Sequence, residues 1–169
     1  MTLRTHYSAA RYAGGRVPPL AFLLLRLLPT MTSEQILLVR SSWPAIAERH
    51  DEVTRRFYDL LFEIDGSAAR LFTGVDMAAQ RVKLAEVLAV VVNGLNDIDR
   101  LLPAVVALGK RHAHYGVQDR HFDSVGAALL QAFGDTLGDE FTPELRAAWA
   151  TAYTVLASVM RKSATREVA

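Results

Sequence analysis

Three polar side chains, Tyr58, Gln80 and His112, interrupt apolar helical stripes in this chain. An imidazole can hold a metal through one ring nitrogen, and a phenol and a carboxamide can donate hydrogen bonds to a ligand that carries negative charge. Leu101, Val105 and Leu108 precede His112 by eleven, seven and four residues, so all four share one helical face. A histidine that continues an apolar stripe points its ring at whatever the stripe covers. On its own it reads equally well as a core histidine bonded to a neighbouring carbonyl. Tyr58 alone reads as a half-buried tyrosine with its hydroxyl in water. Gln80 alone reads as an exposed residue near a helix start. Burying all three without partners is costly, so their recurrence in separate stripes needs a reason. His114, two residues past His112, faces elsewhere, and the two do not converge on a metal. His121 reads as a local cap at the following turn; His50 and His6 belong to no group.

Helices must position these residues. Thr32 with Gln35 forms a capping box ahead of the stripe Ile36, Leu37, Val39, Trp43 and Ile46, with Pro44 inside it. A second helix spans His50 to Ile64, its apolar face Val53, Phe57, Leu60, Leu61 and Ile64, with Tyr58 beside Leu61 and Phe62. Asp65-Gly66 ends it, and Ser67 to Phe72 reads as a short helix or turn before a loop over Thr73 to Asp76. Met77 to Leu95 follows, with Gln80, Leu84, Val87, Leu88 and Val91 on one side. Asn96-Asp97 opens the helix of His112. Asp119 to Leu137 turns Phe122, Val125, Leu129, Leu130 and Phe133 inward. Gly138-Asp139 breaks the chain, and Thr142 caps a last helix with Pro143 at its first position. Leu145, Trp149, Tyr153, Leu156 and Met160 are its stripe. No alternating strand pattern, repeat or low-complexity tract appears, so the body is all-α, about six or seven helices joined by short turns.

Composition narrows the function classes. The 169 residues fit one domain, and 51% are hydrophobic, enough for a real core. Net charge is +1, from 19 basic and 18 acidic residues, with no basic helix, so nothing argues for nucleic acid. With no cysteine there is no disulfide, thiolate metal site or cysteine nucleophile, which fits a cytoplasmic protein. Residues 1–30 stand apart: arginines, Gly-Gly, Pro-Pro, then an apolar run from Leu20 to Leu28 broken by Arg26. That run is too short to span a bilayer as a helix. A disordered tail, a membrane-surface anchor and sequence upstream of the true start compete. Met31, followed at once by the helix-start signature, favours a non-structural extension. The domain is then 31–163, with 164–169 a tail.

From Ser33 to Met160 the chain resembles a globin. It is most similar to bacterial single-domain haemoglobins and the globin domain of flavohaemoglobins, and more distantly to neuroglobin. The matching stretches, in order, are RRFYDLLF with the following Leu71-Phe72, QRVKLAEVL, LGKRHAHYGV, HFDSVGAALL and FTPELRAAWATAY. Thirty-two residues separate Gln80 from His112, the distal-to-proximal spacing of these families. The resemblance implies a globin fold around haem b. It makes His112 the proximal iron ligand, its second nitrogen donating to the carbonyl of Leu108. Phe72 matches the aromatic that stacks on the haem, Gln80 the distal polar position, and Tyr58 the distal tyrosine of bacterial globins. Leu84 walls the pocket, and Val117, Phe122, Val125 and Leu129 line the rest. Lys83 is placed to reach a propionate.

The implied function is reversible binding of O₂, and of NO and CO, at a pentacoordinate iron, with Tyr58 and Gln80 as hydrogen-bond donors. The alternative is a nitric oxide dioxygenase in which the same two residues are catalytic. The given chain carries no flavin or nicotinamide segment after the globin-like body, so the expectation is an external electron donor or reductase. A homodimer is compatible with the sequence, but no feature fixes the oligomer. The proximal side departs from flavohaemoglobins: their tyrosine falls on Phe122 and their glutamate near Ala164. A less anionic proximal imidazole follows as an expectation.

Overall fold

The computed structural model describes residues 30–164, in which the apolar stripes become seven α-helices: α1 (Ser33–Glu48), α2 (His50–Ile64), α3 (Gly66–Ala69), α4 (Met77–Gly94), α5 (Ile98–His114), α6 (Asp119–Leu137) and α7 (Pro143–Ala164). Single 3-10 turns stand at Arg70–Phe72 and Gly138–Glu140, and no strand occurs among the described residues. The expected caps form. Thr32 Oγ1 accepts the Gln35 N–H at 3.1 Å while Gln35 Oε1 accepts the Thr32 N–H at 3.0 Å. Thr142 Oγ1 accepts the Leu145 N–H at 3.3 Å. α4 ends at Gly94, one residue before the expected Leu95, and α5 begins at Ile98, directly after Asn96-Asp97. Asp97 stands at the cap of α5 and spends its carboxylate on Arg100, 2.9 Å away. Gly138, at φ +57°, makes the break before α7.

Packing follows the stripes. α5 lies along α7 and α2 along α6, with α1 laid across α7 and α4. Phe133, fully buried, meets Trp149 at 4.6 Å between ring centroids. Burying a ring of that size contributes about 2–3 kcal/mol. Trp149 Nε1–H donates to Ser42 Oγ at 3.0 Å, so α1 and α7 are joined by a polar contact as well. α5 and α7 approach closely at Gly109. A Cβ there would lie 2.1 Å from Ser163 Oγ and 2.7 Å from the Met160 backbone. By contrast α4 and α5 meet over a short length only. None of the described helices is long and apolar enough to cross a membrane. The apolar run Leu20 to Leu28 and His6 lie outside the described residues.

Candidate functional site

The stripe on α5 climbs out of the core. Leu101 and Val105 are buried, Leu108 and His112 half-buried. His112 Nδ1 is 2.9 Å from the carbonyl oxygen of Leu108, one turn back. A carbonyl only accepts, so Nδ1 is the donor, and in the neutral ring Nε2 is the nitrogen with the open lone pair. The imidazole lies nearly parallel to the buried Phe122 ring, at 6.3 Å and 25°. Phe122 is itself fixed: the Tyr153 hydroxyl of α7 donates to its carbonyl oxygen at 2.5 Å. Gly126 makes room for that tyrosine, since a Cβ there would come within 2.6 Å of its ring. Burial pushes the Tyr153 hydroxyl far above its ordinary range, so it stays a donor.

α2 presents Tyr58, 5% exposed, inside an aromatic cluster. Phe57 stands edge-on to it at 4.8 Å and Phe72 edge-on at 5.4 Å, with Phe62 at 5.9 Å. Gln80 enters from the first turn of α4, which Asp76 caps by accepting the Ala78 and Ala79 N–H groups. Burial pushes the Tyr58 hydroxyl up, while its hydrogen bond with Gln80 and the charge of Arg81 pull it partly back. The phenol therefore keeps its proton at neutral pH. Tyr58, Gln80 and Phe72 thus come together, as do His112, Leu108 and Phe122.

Between α4 and α5 opens an apolar cleft of about 260 Å³, lined by Val87, Val90, Val91, Leu101, Val105 and Leu108, with Glu86 and Arg111 also on its wall. Leu84, Val117 and Val125 are half-buried against the core, and Leu129 is buried. Lys83 is exposed. Val87, placed with the inward residues of its helix, is 39% exposed instead, because it stands on the cleft wall where the two helices part. His114 is exposed against Tyr115.

One polar cluster was only half visible in the sequence. His121 does cap its helix, Nδ1 accepting the Gln118 N–H at 3.0 Å. Its Nε2 also faces Ser67 Oγ at 3.0 Å, and Ser67 donates to Asp65 Oδ1, 2.5 Å away. Ser124 donates to Asp65 Oδ2. Serine, histidine and aspartate are the residue types of a hydrolase triad, but here the aspartate holds the serine and the imidazole faces a backbone N–H. The cluster instead pins the segment that carries Phe72 to the start of α6. The Ser67 hydroxyl first, then the Ser67 N–H, Ser124 and His121, hold the Asp65 carboxyl below its ordinary range. A carboxyl lowered in the folded state stabilises it above the unfolded value, and this is lost as pH falls through the folded one. Asp65→Asn should therefore lower the thermal midpoint at pH 7, and the gap to the parent should close as pH drops below about 4. A gap independent of pH, by calorimetry at both ends, would show that the charge is not used.

An all-α body that brings an imidazole, a buried phenol and a half-buried amide to neighbouring helices suits a helical fold that holds a prosthetic group between its helices. The globin family profile matches residues 55–160, and the chain belongs to the globin family. It is 30% identical over 129 residues to a flavohemoprotein of Bacillus subtilis strain 168, covering 75% of this chain and 32% of that protein. It is 32% identical over 125 residues to a flavohemoprotein of Bordetella parapertussis, covering 73% and 31%. The chain spans about a third of the length of these relatives. Among solved structures it is similar to an engineered carbene transferase whose Rhodothermus marinus parent carries a provisional assignment as nitric oxide dioxygenase. That match has TM-score 0.75, 28% identity, and covers 82% of this chain and 96% of that one. A bacterial globin of Campylobacter jejuni matches with TM-score 0.72 at 22% identity, covering 81% and 99%.

Proposed function

We propose that this chain holds haem b and reversibly binds O₂ and other diatomic gases. The observation that carries the reading is the His112–Leu108 hydrogen bond, which leaves Nε2 unprotonated in an apolar setting. The donor set fits the group: porphyrin supplies four nitrogens, and the protein need add one imidazole. When bound, the haem iron supplies an open coordination position for a small gas molecule. The protein's residues do the rest. His112 would hold the iron through Nε2. Phe72, Leu84, Leu108, Val117, Phe122, Val125 and Leu129 supply apolar contact that excludes water. Lys83 is close in sequence to Gln80 and suits a propionate, though as an exposed charge it adds little affinity. Tyr58 and Gln80 donate hydrogen bonds to a ligand that takes up negative charge.

The flavohemoprotein relatives and the Rhodothermus neighbour favour a second reading, nitric oxide dioxygenase with electrons from an external reductase. One series of measurements tests both. Hemin titrated into the purified chain should give a sharp Soret band that saturates at one haem per chain; no band overturns the first reading. Mixing the oxygenated protein with NO should consume both. Sustained turnover with an added flavin reductase would establish the enzyme, and a single stoichiometric round would leave an oxygen binder.

A further inference from the structure

We propose that Arg161 is a positioning residue for His112 that acts through Phe122; the proposal rests on the haem reading above. Arg161 reaches from α7 across the first turns of α6. Its Nη2 donates to Asp123 Oδ1 at 2.5 Å and to the Asp119 carbonyl at 3.2 Å, and its Nε lies 3.7 Å from the Asp119 carboxylate. These contacts fix a long side chain in one place. The place is over Phe122, with the guanidinium carbon 5.3 Å from the ring centroid. Phe122 in turn lies along the His112 imidazole, and Tyr153 anchors its backbone. Tyr153 and Arg161 are eight residues apart on α7, so one helix face holds Phe122 by carbonyl and by ring.

Two effects follow. The imidazole plane is restrained by the ring beside it, which Arg161 covers. A positive charge also stands against the ring that lies along the imidazole. The Arg161 side chain is 33% exposed, whereas Asp119 and Asp123 are 84% and 77% exposed. Water therefore screens the carboxylates more than the guanidinium, and the balance reaching His112 is positive. Such a field favours the ferrous over the ferric state of an iron held by His112.

The test compares the full chain, loaded with hemin, with Arg161→Met, Arg161→Lys and the double variant Asp119→Asn/Asp123→Asn. The readouts are the midpoint potential by spectroelectrochemistry and the ferrous iron–imidazole stretch by resonance Raman. Arg161→Met should move the ferrous-to-ferric ratio at fixed potential about three- to tenfold toward ferric. Arg161→Lys should recover most of that shift while leaving the stretch altered, since charge returns without the planar fork. The double variant keeps side-chain oxygens to anchor Arg161 but removes two negative charges, so it should move the ratio toward ferrous. Opposite signs do not arise from general loosening. Shifts of one sign in both, or in neither, overturn the proposal. If Arg161→Met loses its helical circular dichroism, the double variant decides alone: no shift, or a shift toward ferric, overturns it. A wild-type chain that takes up no hemin overturns the haem reading and this with it. Hemin uptake with unmoved potentials overturns only the role of Arg161.

Discussion

His112→Ala should weaken hemin binding about a hundredfold or more, because on the proposed reading the iron loses the imidazole that holds it. The loss should be specific. Alanine is the best helix former, and the site is half-buried at the last turns of α5, so the fold should survive with unchanged far-ultraviolet circular dichroism. The space left is close to the shape of free imidazole. Adding millimolar imidazole to the variant should therefore restore a histidine-like spectrum. If the variant keeps wild-type affinity and a wild-type Soret band, His112 is not the ligand. Loss of both haem and helix would instead make it a core residue, the bland alternative with which the sequence left it level.

The second large effect belongs to Tyr58. Removing its hydroxyl while keeping the ring deletes a donor and little else, since Phe57, Phe62 and Phe72 still pack against the phenyl group. A hydrogen bond to a charged partner contributes about 1.5–3 kcal/mol, so Tyr58→Phe should speed O₂ release roughly ten- to a hundredfold. CO takes up less negative charge, and its release should change far less. Gln80→Leu should act in the same direction by a smaller factor, because the more deeply buried donor is the tyrosine. Stopped-flow displacement of O₂ by CO measures all three. Equal changes for both gases would mean that Tyr58 acts by size and not by its proton.

Much of this arrangement was legible because helical period and burial agree. The stripe on α5 leads to His112, and the carbonyl one turn back accepts its proton. Thr32, Thr142 and His121 cap as their positions require. What stayed hidden depends on contacts between distant parts of the chain. Fifty-four residues separate Ser67 from His121, and thirty-one separate Tyr153 from the carbonyl it binds. No period in a single helix encodes such pairs. The contact between Arg161 and Phe122 is of the same kind. Asp76 was missed although its signal was local: an aspartate directly before a helical run is a cap. Val87 shows where the period misleads. It lies on the inward arc of α4, but the neighbour it would pack against has drawn away.

Gly109 has a consequence that reaches three residues along its helix. The main chain of α5 touches that of α7 there through the space one methyl group would fill. The registration of His112 along the bundle is thus gauged by a missing carbon atom, with the backbone of Met160 as the stop. A larger residue would lift the imidazole off that stop without altering any group that reacts.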